Sequence, residues 1–268
     1  MPAVELERLR VQIRELIARF ADPEEFRRVL RELLELYNDN AYRPGQVVKP
    51  QPLLPSYRVP PLVLRMLESE LTRTCRARPD EALKVVEALW ADTHLEPRRF
   101  AAMLLGVIPA THSEQVAEKL RAWAVPSVNF RLLDLVFEHA VVLRTEAPER
   151  LLALVEEWLS SADAEGKAIG LQAVHALIED RGFENLPPIY RMLGPLVQNI
   201  PTALQANVSS VVEALARRNP AETAYFLRQS LSISTNPNTA RMIRRCLPLF
   251  EPQQQASLRA AMRSGESD

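Results

Sequence analysis

Four basic residues stand at one register in successive amphipathic stretches of this 268-residue chain. Arg99-Phe100-Ala101, Arg131-Leu132-Leu133, Lys167-Ala168-Ile169 and Arg241-Met242-Ile243 each put a cation before an apolar pair, and Asn207-Val208-Ser209 keeps the register with an amide. If these stretches are stacked helices, the cations form a ladder, with Arg98, Arg244 and Arg245 nearby. A ladder of this kind can track the phosphates of a nucleic acid. The competing role is structural, because the same side chains can bond turn carbonyls or pair with acids of the adjacent repeat. Asp134 follows Arg131 by three residues, the spacing of an ion pair on one helix face.

Other chemistry finds little support. His94, His112, His139 and His175 form no pair at metal-ligand spacing, and Cys75 and Cys246 have no CxxC partner, so neither a metal nor a cofactor is expected. Gly-rich phosphate loops and the GxSxG nucleophile elbow are absent. The formal net charge of −1 gives no global field for nonspecific nucleic-acid binding, so any such surface must be a local strip. Four lysines among 33 basic residues leave 29 arginines. Arginine suits phosphate contacts, although codon usage in a GC-rich genome produces the same bias. Two distant cysteines read as reduced, buried thiols of a cytoplasmic protein. The opening MPAVELERLR has no apolar core of signal-peptide length, and no apolar run approaches 18 residues, so neither export nor a membrane is expected.

The elements that would position the ladder are helices. Residues 4–20 place Leu6, Leu9, Ile13, Leu16, Ile17 and Phe20 on one face. Asp22-Pro23-Glu24-Glu25 then supplies a cap, a first-turn proline and two acids, opening a helix to about Tyr37. Residues 38–61 hold six prolines and cannot be helical. Tyr42, Val47, Val48, Leu53, Leu54 and Tyr57 give this segment apolar anchors, so it is expected to lie as a strap over the surface. A helix over about 61–77 follows. Pairs are then expected at about 80–91 with 96–108, 114–124 with 128–144, 148–160 with 164–179, 186–198 with 202–217, and 220–232 with 237–249. A last short helix starts at Pro252. Pro97, Pro148, Pro220, Pro237 and Pro252 mark helix starts, with Asn219 and Asn236 as caps.

Trp90, Trp123 and Trp158 recur at spacings of 33 and 35 residues. A period in this range signals stacked supersecondary units, and only 7 glycines fit long helices joined by short turns. The expectation is an all-α fold in which HEAT-like helix pairs stack into a right-handed curved α-solenoid. Residues 1–58 form an N-terminal helical cap and strap, and residues 59–268 one continuous repeat unit. The tryptophans end first helices and read as inter-repeat packing. Second helices line the concave side of such a stack.

The stretch Val85-Val86-Glu87-Ala88-Leu89-Trp90, followed by Glu96-Pro97-Arg98-Arg99-Phe100-Ala101-Ala102, resembles the AlkD-type DNA alkylation-repair proteins, bacterial glycosylases built from HEAT-like helix pairs. Tyr57-Arg58-Val59-Pro60-Pro61-Leu62-Val63-Leu64-Arg65 is similar to the short signature that opens the repeats in that family. The resemblance spans roughly residues 57–232. It implies a cationic alkylated purine as lesion and electrostatic catalysis by a carboxylate, with tryptophans against the sugar and an arginine on phosphate. Asp134 falls at the catalytic aspartate. Asn129 and Phe130 occupy tryptophan positions, Lys167 the phosphate-binding arginine, and Ser210 lies near a second site tryptophan.

The function expected is that of a divergent alkylation-repair-like protein binding double-stranded DNA on its concave face. If it is an enzyme, it hydrolyses the N-glycosidic bond of an N3- or N7-alkylated purine. Asp134 would stabilise the developing positive charge, Phe130 would give aromatic support, and Lys167, Arg131, Arg241 and Arg99 would meet phosphates. The alternative is a non-catalytic scaffold that keeps the fold and binds a protein partner on the same face.

Overall fold

Proline-marked starts dictate most of the architecture. The structure, a computed structural model, describes residues 5–38 and 54–264. Among them every regular element is helical. The α-helices are α1 Leu6–Ile17, α2 Pro23–Leu36, α3 Pro61–Ala77, α4 Pro79–Trp90, α5 Leu95–Leu105, α6 Ser113–Trp123, α7 Phe130–His139 and α8 Val141–Thr145. They continue as α9 Pro148–Leu159, α10 Ala164–Glu179, α11 Pro187–Gln198, α12 Gln205–Arg218, α13 Pro220–Ile233, α14 Pro237–Cys246 and α15 Pro252–Ser264. Proline supplies the first residue of α2, α3, α4, α9, α11, α13, α14 and α15, where its fixed φ suits the helix and its missing N–H costs nothing. Asp22, Asn219 and Asn236 cap α2, α13 and α14 by accepting from backbone N–H groups inside the first turn.

The chain divides into two compact units, Met1–Trp123 with Val128–Ala147, and Ala124–Ser127 with Pro148–Asp268. In the first, α1, α3, α5 and α7 pack in one row and α2, α4, α6 and α8 in another. In the second, the rows are α9, α11, α13, α15 and α10, α12, α14. Each helix pair buries its apolar stripe against the next, which is how units too small for a core of their own become stable. The first unit's interior includes Leu9, Ile13 and Leu16 of α1, Phe26, Leu30 and Leu34 of α2, and Val63, Leu67 and Leu71 of α3, all at helical spacing and buried.

The tryptophans serve packing, as their places at the ends of first helices suggest. Trp90 stacks on Trp123 with ring centroids 4.4 Å apart and planes 10° apart, joining α4 to α6. Trp123 is 2% exposed, and Trp158 is buried in the second unit. The anchors Tyr42, Val47, Val48 and Leu53 of the expected strap lie outside the described residues. Its end is described: Tyr57 and Val59 are buried, and the Leu95 N–H donates to the Pro55 carbonyl at 2.9 Å.

Two expected helices differ in detail. The stretch 128–144 is not one helix, because it breaks at Ala140 (ψ 47°) into α7 and α8. Gly106 permits the close approach at this break, since a Cβ there would fall 1.6 Å from the His139 carbonyl oxygen. Backbone meets backbone there, and the Val142 N–H donates to the Gly106 carbonyl at 3.1 Å instead of continuing α7. Arg144 closes the break by donating to the carbonyls of Phe137 and of Glu138, the latter at 2.8 Å. Separately, α5 starts at Leu95, so Pro97 is its third residue rather than its first. A first-turn proline still sacrifices no helical bond.

Candidate nucleic-acid interface

The first turn of α7 carries the residues expected to do chemistry. Asn129 caps it, its side-chain oxygen accepting from the Arg131 N–H at 3.0 Å. The position where an aromatic was implied is therefore occupied by a residue that starts the helix. Leu132, Leu133, Val136 and Phe137 bury one face of α7. The opposite face is left to Phe130, Arg131 and Asp134, all exposed. Phe130 is 58% exposed, an unusual position for a large apolar ring. The Arg131 guanidinium lies over that ring, 5.8 Å from its centroid, a cation–π distance. An aromatic face, a cation and a carboxylate thus share one turn and a half of helix. Such a set can stack on a sugar or base, hold a phosphate, and stabilise positive charge.

The equivalent start of α5 is organised differently. Glu96 is 5% exposed, and its Oε1 accepts from the Ser56 hydroxyl at 2.6 Å and the Arg58 N–H at 3.1 Å. Arg58 pays for this contact with a φ of 53°, the left-handed region that side chains disfavour. Asp92, also buried, accepts from the His94 N–H at 2.9 Å and faces Arg31 Nε at 3.3 Å. Tyr57 stacks on His94 at 4.3 Å. The Arg98 guanidinium donates to the Asp92 carbonyl at 2.6 Å and lies over Trp90. Arg99, the second rung of this start, pairs with Glu68 of α3 at 2.9 Å.

Near the end of α7, His139 is half-buried. Burial lowers its pKa below the ordinary 6.5, Arg99 and Arg144 push the same way, and Glu138 and Glu68 oppose. Both thiols, Cys75 and Cys246, are buried and pushed up to about 12 by desolvation. They are packing groups, not nucleophiles.

In the second unit Lys167 sits in the first turn of α10, half-buried, and its ammonium makes no hydrogen bond or ion pair with a described residue. Asp163 caps that turn, accepting from the Gly166 N–H at 2.6 Å. Arg241 is exposed on α14, ahead of the buried Met242 and Ile243. Ser210 is exposed on α12. The structural-ladder role in this unit belongs to other residues. Arg218 donates to the carbonyls of Leu177, Ile178, Asp180 and Phe183. Thr239 donates to the Val197 carbonyl at 2.7 Å, and Asn236 and Asn238 to that of Ile200. Sequence reasoning gave Asn236 only as a cap and Glu96 only within the family-like stretch, and it assigned no role to Thr239, Asn238, Glu68 or Asp92. Buried carboxylates at turn positions look like solvated loop acids until their partners are known.

Among the described residues no group of three or more His, Cys, Asp or Glu side chains is placed to hold a metal ion, and no helix is long and apolar enough to cross a membrane.

Comparison with known proteins adds an identification. Among solved structures, the chain is similar to an engineered protein at 14% identity over 95% of this chain and 96% of that one, with a TM-score of 0.40. It is also similar to a designed armadillo repeat protein in complex with the peptide (KR)4, at 12% identity over 98% and 95% of the two chains, with a TM-score of 0.27. No curated protein matches it. The model of the DNA alkylation repair enzymes matches residues 60–246, which take in α3 through α14. With well over half of its length matched, the chain belongs to the DNA alkylation repair enzyme family.

Proposed function

We propose that the chain binds alkylated duplex DNA through the exposed face of α7, and that Asp134 is the residue on which N-glycosidic hydrolysis of an N3- or N7-alkylated purine depends. The observation that carries this reading is the exposed set Phe130, Arg131 and Asp134 inside the family-matched span. Alkylation at N3 or N7 gives the base a positive charge. As the bond from C1′ to the base lengthens, its electron pair goes to the base, which leaves neutral. The positive charge passes to the sugar, where the Asp134 carboxylate stabilises it. Water then adds at C1′ and releases a proton to solvent. Phe130 packs against the deoxyribose, and Arg131, Lys167 and Arg241 hold phosphates. Two buried thiols suit a reducing compartment, so a cytoplasmic location is part of this proposal.

A second reading has its own support. Asn129 is used as a helix cap where an aromatic was implied, Ser210 offers no π-face, and Arg99 is offset by Glu68. These favour a non-catalytic module that keeps the fold and binds a protein partner.

Release of 7-methylguanine or 3-methyladenine from alkylated duplex DNA separates the two. Release by the wild-type chain that Asp134→Asn abolishes supports hydrolysis. No release when DNA saturates the protein removes the enzymatic part and leaves binding. DNA affinity that does not fall with salt removes binding as well, because phosphate contacts release counterions.

A further inference from the structure

A cleft of about 460 Å³ opens in the second unit between the C-terminal turn of α9, the first turn of α10 and the middle of α11. Lys167 and Arg191 bring two cations to it, Glu156 one carboxylate, and Ser160 and Asn199 neutral polar groups. Leu159, Met192 and Leu196 give it an apolar wall. Among the described residues, neither Lys167 nor Arg191 has a side-chain hydrogen bond or ion pair, and Glu156 has no ion pair. The contrast within the same unit is Arg218, whose guanidinium is engaged by four carbonyls. Asn199 Oδ1 already accepts from Asn236 at 2.7 Å, which leaves its NH₂ to donate.

The chemistry of this lining selects a ligand class. Two uncommitted cations against one carboxylate favour a dianion, and a phosphate monoester carries close to two negative charges at neutral pH. The cleft is open to solvent, with Glu156, Ser160, Arg191 and Asn199 exposed, and its volume has room for a molecule larger than a bare ion. An apolar wall with a methionine suits a planar ring, and a lone carboxylate accepts from ring N–H or amino groups. We infer that this cleft binds a nucleoside 5′-monophosphate with a hydrogen-donating base, either free or as the 5′-phosphorylated end of a DNA strand. The inference deepens the reading of Lys167 as a phosphate-holding residue, and it adds Arg191, Ser160, Asn199 and Glu156, which that reading does not use.

The test is calorimetric titration of the full chain with deoxyguanosine 5′-monophosphate, deoxyguanosine and inorganic phosphate. The nucleotide is expected to bind at least about tenfold more tightly than either fragment, since a charge-assisted bond is worth at least that factor. Arg191→Glu and Lys167→Glu should each weaken it by more than about tenfold, while Arg131→Ala leaves it unchanged. Arg191→Gln serves if charge reversal disturbs folding as seen by circular dichroism. Single strands with 5′-phosphate or 5′-hydroxyl ends distinguish the sources: preference for the phosphorylated end, with weak binding of the free nucleotide, assigns the cleft to DNA termini. Equal binding of nucleotide and nucleoside, or no binding of nucleotide or phosphorylated end up to about 1 mM, overturns the inference. So does indifference to both charge changes in folded variants. If Arg131→Ala weakens duplex binding while nucleotide binding persists, the cleft stands apart from the α7 reading. If the wild-type chain binds duplex in an Arg131-dependent way and does not bind the nucleotide, the cleft fails and α7 stands.

Discussion

The starts of α5 and α7 occupy equivalent places in successive repeats of one unit, yet the acid of one is buried and that of the other exposed. At α5 nearly every charged or polar side chain is committed inside the protein. Glu96 holds Ser56 and Arg58, Asp92 holds His94 and Arg31, Arg98 holds a carbonyl, and Arg99 holds Glu68. At α7 the cap Asn129 satisfies its own helix, and Phe130, Arg131 and Asp134 face solvent. The same cation-then-apolar-pair pattern thus marks a structural knot in one repeat and an open surface in the next. What separates them is the segment 54–60, which lies against α5 and brings partners there.

The two helices are also linked at their other ends, where Gly106 after α5 meets His139 of α7, and breaking that link should have the largest effect. Gly106→Ala would put a methyl group 1.6 Å from the His139 carbonyl, with no side chain on either part free to rotate away. We expect a loss of about 4 kcal/mol, or failure to fold, measured by denaturant titration. Unchanged stability would show that the chain can separate α5 from α7 without cost.

Next in size is the contrast between two acids. Glu96→Ala strips the acceptor from the Ser56 hydroxyl and the Arg58 N–H in a buried setting, which should cost about 2 kcal/mol. Glu96→Gln, which keeps an acceptor oxygen, should cost less. Asp134→Asn, at an exposed position, should change stability by no more than about 0.5 kcal/mol while removing any base release. Equal destabilisation by Glu96→Ala and Asp134→Asn would erase the distinction between knot and surface.

A smaller effect separates the arginines. Arg131→Ala should lower the salt dependence of DNA affinity by about one phosphate contact. Arg99→Ala, whose charge Glu68 offsets at 2.9 Å, should change it less. If Arg99→Ala has the larger effect, the ion pair opens on binding DNA and the ladder includes α5.

How far the sequence carried these conclusions depends on the range of the interaction involved. Helix starts were legible because proline, Asp22, Asn219 and Asn236 act within one turn. The tryptophan period revealed the pairs because each repeat buries the same position, and Trp90 on Trp123 is the physical form of that spacing. The exposed set on α7 was found from register and resemblance. The Arg99–Glu68 pair spans 31 residues and the Ser56–Glu96 bond 40, and no local pattern records such partners. Nor did helical periodicity show the break at Ala140, because the backbone packed against it, at Gly106, lies more than thirty residues earlier.

The finest test of the link is titration. Burial, with Arg99 and Arg144 nearby, holds His139 below its ordinary pKa of 6.5, against the opposing pull of Glu138 and Glu68. The folded state therefore disfavours protonated His139 relative to the unfolded chain. Its contribution to stability is complete above pH 6.5 and falls as pH drops through the lowered folded-state value. In denaturant titrations below pH 6.5 the wild-type chain should lose stability faster than His139→Gln, which has no such group to protonate. Parallel pH profiles would mean that the α5–α7 junction opens enough to solvate the ring, and the packing attributed to Gly106 would have to be looser than its contacts imply.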